Sequence, residues 1–240
     1  MKWFIGCSGF HYKDWMKDFY PEKLPQKKWF EFYSTQFNTL ELNVTFYRFP
    51  QLKVLEGWYE RSPADFCFAI KVPRLITHFK KFNDTDRMLA DFYTTARNGL
   101  KEKLGPVLFQ LPAQSIYSED LLERIMASVD ESFINVVEFR HESWWKKNVY
   151  DRLAEKKIVF CSTSYPKLPD AVVANSPTIY YRYHGIPKLY YSEYGEDMIQ
   201  KTARTIKKSP GISSAYIFFN NTATMAAINN ARQLKRVIEP

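Results

Sequence analysis

Several apolar runs in this chain end in polar residues two positions apart, such as Glu41 and Asn43 in Glu41-Leu42-Asn43, or Arg182 and His184 in Arg182-Tyr183-His184. In an extended chain such residues share a face, so each run delivers two functional groups to one side. Glu138-Phe139-Arg140-His141 repeats the pattern. Glu41 and Glu138 suit a division of general-acid and general-base work, because like charges close together push carboxylate pKa values apart. His141 and His184 suit proton transfer near neutral pH. Lys71, Arg140 and Arg182 suit an anion, which arginine grips with two parallel hydrogen bonds.

Other runs end in Ser8, Lys71, Gln110 and Asn220-Asn221. Positive charge concentrates from Lys71-Val72-Pro73-Arg74 to Thr77-His78-Phe79-Lys80-Lys81, and Lys146, Lys147 and Lys188 add to it. Tyr12, Trp15, Tyr47, Trp144, Trp145, Tyr190, Tyr191 and Tyr194 are placed beside these cations. Cations among rings fit a ligand that joins a phosphate or carboxylate to a flat or sugar-like ring. On that reading Glu41, Glu138, His141 and His184 are catalytic. Ser8, Tyr12, Trp15, Asn43, Tyr47, Lys71, His78, Gln110, Arg140, Trp144, Arg182, Asn220 and Asn221 bind substrate. The plainer reading of any one of them is a solvated loop residue or half of an ion pair, and Trp15, Trp144 and Trp145 also suit a packing role.

Bringing these residues together requires a particular fold. Strand-like runs cover Trp3–Cys7, Thr39–Asn43, Cys67–Val72, Pro106–Leu111, Asn135–Phe139, Ile158–Ser162, Ile179–His184 and Ala215–Phe219. Helical stretches follow at Lys28–Phe37, Leu52–Arg61, Thr85–Lys103, Ser118–Val129, Ser143–Lys156, Glu196–Lys208 and Ala223–Ile238, with Ser118, Asp84 and Ser143 as expected N-caps. After the sixth strand, Ser164–Pro177 holds three prolines and reads as loop or a single turn. Alternation of strands and helices implies a parallel sheet, and eight runs fit a closed (β/α)8 TIM-like barrel with an irregular or shortened sixth helix. Seven of its strands then carry polar groups to the C-terminal rim, where such barrels build their sites.

The 240 residues, read as one domain, bury roughly 70–75% of the unfolded surface without disulfide or structural metal. A net charge of +8 favours anionic partners. Cys7, Cys67 and Cys161 form no C-x-x-C pair and read as reduced, buried residues. No dinucleotide or P-loop glycine motif follows a strand. The N-terminus runs into a strand without the basic and apolar segments of a signal peptide, and no apolar run reaches the roughly 18–20 residues of a membrane span, so the expectation is a cytoplasmic protein without a membrane partner. His78, His141, His184, Glu41 and Glu138 have metal-ligand chemistry, yet no H-E-x-x-H or H-x-H spacing is present. Hydrogen-bonded histidines are the plainer reading, a metal-dependent variant stays open as the lesser alternative, and the cofactor is unknown.

The rim residues also carry a family resemblance. Ile5-Gly6-Cys7-Ser8-Gly9-Phe10 with Tyr12, Trp15 and Phe19-Tyr20-Pro21 resembles the opening of the YecE-like domain-of-unknown-function family, DUF72. So do Glu41-Leu42-Asn43-Val44-Thr45-Phe46-Tyr47-Arg48, Gln110-Leu111-Pro112, Glu138-Phe139-Arg140-His141 with Ser143-Trp144, Arg182-Tyr183-His184-Gly185, and Phe219-Asn220-Asn221. The resemblance runs the length of the chain and implies a TIM-barrel-like fold with a shared pocket, but no reaction. Cys7, Phe10, Ala113, Thr222 and Met225 depart from the pattern, Thr222 standing where the family usually has an acid.

Three functions remain open on the sequence. The first is an enzyme, a hydrolase or isomerase in type, acting on a phosphorylated or other anionic small molecule. The second is a nucleic-acid-binding, nuclease-like or repair-like protein, favoured by the basic and aromatic mouth but by no binding motif. The third is a metabolite-binding scaffold without catalysis. Oligomeric state is left open.

Overall fold

Each apolar run alternates its side chains between two faces, and a parallel sheet covered by helices buries both. In the computed structural model, which describes residues 1–239, these runs become β1 (Lys2–Cys7), β2 (Thr39–Leu42), β3 (Cys67–Lys71), β4 (Leu104–Gln110), β5 (Asn135–Glu138), β6 (Val159–Ser164), β7 (Thr178–Tyr183) and β8 (Ser214–Phe219). They pair in parallel in the order β1-β8-β7-β6-β5-β4-β3-β2. A bridge between Ser8 and Glu41 brings β1 beside β2 and closes the cylinder. The fold is the expected TIM-like barrel.

Helices α1 (Trp29–Gln36), α2 (Val44–Tyr47), α3 (Leu52–Arg61), α4 (Asp86–Leu100), α5 (Glu119–Ser128), α6 (Lys147–Glu155), α7 (Glu196–Lys208) and α8 (Ala226–Ile238) surround it. Between β6 and β7 the described residues form no helix, in keeping with the prolines there. Ser118 caps α5 by accepting from the Leu121 N–H at 3.3 Å. The other two expected caps are corrected. Asp84 takes a left-handed backbone (φ 49°) ahead of α4. Ser143 lies inside a 3-10 turn, Glu142–Trp144, where its hydroxyl binds the Tyr117 N–H instead.

The barrel interior holds Phe4, Cys67, Ala69, Leu108, Val136, Val159, Cys161, Tyr180, Tyr216 and Phe218, an apolar plug in its lower part. One further two-residue step along each strand leads from Ala69 to Lys71, Leu108 to Gln110, Val136 to Glu138 and Tyr180 to Arg182. Strand period alone therefore stacks a polar layer on the apolar one. All three cysteines are free and buried, as expected.

The β1–β2 seam is stitched by side chains rather than by a full ladder. Tyr33 Oη from α1 accepts from the Cys7 N–H at 2.7 Å and donates to the Thr39 carbonyl at 3.0 Å. Asn38 accepts from the Ile5 N–H at 3.0 Å and donates to the Trp3 carbonyl at 2.9 Å. Gly6 is required here, since a Cβ at this position would stand 2.1 Å from the Thr39 carbonyl oxygen.

Candidate functional site

Arg182 is the hub of the polar layer. It projects inward from β7, fully buried, and its guanidinium joins two carboxylates: Nη2 to Glu41 Oε1 at 2.6 Å and Nη1 to Glu138 Oε2 at 2.5 Å. Tyr180 donates its hydroxyl to the other Glu41 oxygen at 2.6 Å. The second Glu138 oxygen accepts from Arg140 Nε at 2.7 Å and from His184 Nε2 at 3.0 Å. Asn220 Nδ2 donates to His184 Nδ1 at 2.9 Å. His184 therefore carries its proton on Nε2, and its ring is held between a carboxylate and an amide.

These contacts shift several protonation equilibria. Burial alone would raise the Glu138 carboxyl, but Arg140, Arg182 and His184 overcome it and hold the group well below the usual range. Burial opposes the Arg182 charge, and Glu138 and Glu41 more than restore it. His184 is pushed down to about 3 by burial and by the positive charges of Arg140 and Arg182. Near neutral pH these shifts favour an uncharged His184 and an ionised Glu138.

Lys71 stands apart from this network. Its Nζ donates to Gln110 Oε1 at 2.9 Å and lies 3.9 Å from the centre of the Phe46 ring. Gln110 is fixed in turn, its amide N–H donating to the Leu111 carbonyl at 2.5 Å. Phe46 is positioned because Thr45, on the single-turn α2, donates its hydroxyl to the Lys71 carbonyl at 2.5 Å. No ion pair among the described residues includes Lys71; the two nearby carboxylates are taken by Arg182, Arg140 and His184. Burial, and then repulsion from Arg182, lowers the Lys71 amine from 10.5 to about 7. His78, on a π-helical turn after β3, packs edge-on to Phe46 and falls to about 4 through burial and the charges of Lys71, Arg140 and Arg74.

The structure thus gathers Glu41, Lys71, Gln110, Glu138, Arg140, Arg182, His184 and Asn220 in one layer. A cleft of about 350 Å³ beside it is lined in part by Ser8, Tyr12, Asn43 and Tyr47. Among the described residues, Ser8 Oγ and Asn43 Oδ1 are buried there without a hydrogen-bond partner. Four residues named from the sequence are engaged elsewhere. His141 bonds Ser143 and caps the 3-10 turn, with no contact to the ionic layer among its hydrogen bonds. Trp15 is buried, donating to the Thr224 carbonyl at 2.9 Å. Trp144 stacks on Phe139 with ring centres 4.1 Å apart. Asn221 bonds Ser192 and Asn230. Sequence reasoning missed Tyr180, Phe46, His11 and Trp58, and also Tyr165, whose ring lies 4.4 Å from the Arg140 guanidinium carbon. Tyr180 had an available signal, since it precedes Arg182 by one strand period. Among the described residues, no group of three or more His, Cys, Asp or Glu side chains is arranged to hold a metal ion.

A closed parallel barrel with a buried ionic layer at the C-terminal ends of its strands defines a TIM-barrel protein. Within that class the chain belongs to the DUF72 family, whose model, described as "Protein of unknown function DUF72", matches residues 4–240. UPF0759 protein YecE of Escherichia coli (strain K12) is 31% identical over 118 residues, 49% of this chain and 43% of that protein. UPF0759 protein YunF of Bacillus subtilis (strain 168) is 25% identical over 156 residues, 62% of this chain and 54% of that one. The match therefore spans about half the length of these relatives. A DUF72 family protein of Thermotoga maritima MSB8 superposes with a TM-score of 0.91 at 26% identity, covering 100% of both chains. One from Enterococcus faecalis V583 gives 0.84 at 17% identity, covering 99% and 96%, a likeness of fold alone.

Proposed function

We propose that the protein is an enzyme acting on a small molecule that carries a phosphate or carboxylate, bound at the C-terminal mouth of the barrel. The observation that supports this most is a buried amine beside a filled ionic network: Arg182 and Arg140 take up Glu41 and Glu138, and Lys71 has no carboxylate partner among the described residues. Buried ion networks contribute little to stability compared with apolar packing of similar volume. The layer beneath is filled with apolar groups, so stability alone does not account for the polar one. An anion placed between Lys71 and Arg140 would give the amine the partner it lacks. In this reading Glu138 holds Arg140, Arg182 and His184 in position, and Lys71 is the group able to accept a proton near neutral pH. Calorimetry with inorganic phosphate tests the reading. Binding to the wild type that is lost in a folded Lys71→Met variant supports it; equal binding by both overturns it.

Nucleic-acid binding is the second reading, and it rests on the exposed surface that runs outward from the cleft at Tyr47. Tyr47 and Phe79 are 66% and 67% exposed, with the Arg74 guanidinium 5.5 and 5.6 Å from their rings. Residues 42–55 and 66–83 contain no acidic residue, while Arg48, Lys53, Arg74, Lys80 and Lys81 lie within them. Stacking rings beside cations suit a single strand. Oligonucleotide affinity over a salt series discriminates: phosphate contacts give a steep loss with added salt, and absent binding retires this reading.

A further inference from the structure

The polar layer contains one strong nucleophile that ion pairing does not silence. Lys71 projects from the end of β3, is more than nine-tenths buried, and uses only one of its hydrogen-bonding positions, on Gln110. Its neighbours fall into two groups. Arg182 on β7 and Arg140 after β5 are positive and repel a proton on Nζ, while Glu138 on β5 and Glu41 on β2 are already neutralised by those arginines. Phe46 covers the remaining side, and His78 behind it is neutral. A desolvated amine among cations is the arrangement that turns lysine into a carbonyl nucleophile.

We infer that Lys71 forms an iminium with a small aldehyde or ketone that also carries a carboxylate or phosphate. This rests on the reading of the mouth as an anion site and names its substrate class. Nζ attacks the carbonyl carbon, forming the C–N bond as the C=O π pair moves to oxygen. The nitrogen loses a proton and the oxygen gains one, giving a neutral carbinolamine. A further proton on that hydroxyl lets it leave as water while the nitrogen lone pair completes C=N. The balance is amine plus carbonyl plus one proton to iminium plus water, with no oxidant or reductant. The positive charge left on nitrogen stays over the Phe46 ring, where a cation is favoured.

The test uses the wild-type chain, so no variant has to fold. Protein is incubated at pH 7 with glyoxylate, or with uncharged acetaldehyde, together with sodium cyanoborohydride, which reduces an iminium to a stable amine. Peptide mapping then reads the labelling rate at each lysine. Because surface lysines are almost wholly protonated at this pH, Lys71 is expected to label with glyoxylate at least about tenfold faster than they do. Glyoxylate is also expected to outpace acetaldehyde at Lys71 alone, an advantage that added inorganic phosphate removes. Equal rates for the two aldehydes at Lys71 overturn the anionic substrate class, and with it the anion reading of the mouth. No preferential labelling of Lys71, while phosphate still binds in calorimetry, overturns the iminium and leaves the anion site standing.

Discussion

Lys71 and Glu138 occupy the same layer and respond to substitution in opposite directions. An unfolded chain keeps a lysine protonated up to about pH 10.4, whereas the folded amine loses its proton near 7. Between those values the unfolded chain binds the extra proton, so Lys71 makes stability rise with pH across that window. Lys71→Met is expected to flatten that slope and to raise stability at pH 7 by about 2–4 kcal/mol, measured by urea unfolding. An unchanged slope would show that the amine is not depressed. Glu138→Gln does the reverse. It leaves Arg182 and Arg140 short of a buried partner, and about 3–5 kcal/mol of stability should be lost, read in the same unfolding experiment. The face on which these residues lie was legible in the sequence, because a spacing of two fixes it. Their partners were not: Arg182 reaches Glu41 across 141 residues of chain, and that contact decides which groups titrate. His184 shows the same limit, since its neutrality follows from two arginines and burial rather than from its own position.

At the scale of elements, strand ends and long helices were legible to within a few residues, because their periodicity extends over several turns or alternations. Single turns were not. α2 and the π-helical turn Leu75–Lys80 are too short to show a period, yet they bring Phe46 against Lys71 and His78 against Phe46. Closure of the barrel depends on a second such detail. Tyr33 links β1 and β2 through one hydroxyl that both accepts and donates. Tyr33→Phe strands the Cys7 N–H and the Thr39 carbonyl in a dry seam, and each stranded group costs about 1–3 kcal/mol. Thermal unfolding should show the loss, and hydrogen exchange should show it concentrated in β1 and β2. Protection that falls evenly over all strands would argue against a local seam.

For the whole molecule, eight apolar runs were enough to specify a barrel, and the barrel was enough to predict that distant strand ends meet. The cleft beside the mouth was less legible, because His11 and Trp58 enter it from loop and helix positions that no strand pattern marks. What the assembled structure adds is a buried amine with no ionic partner among the described residues: Arg182 and Arg140 take up Glu41 and Glu138, Lys71 stands beside them, and an apolar plug closes the layer below. That unpartnered amine beside Arg140 is the basis for an anion at the mouth. Diffraction from crystals soaked in selenate, located by its anomalous signal, tests it most directly. The expected result is one anion within hydrogen-bonding distance of both Lys71 Nζ and the Arg140 guanidinium; a mouth empty of selenate, with the ion found only on outer helices, would contradict the account.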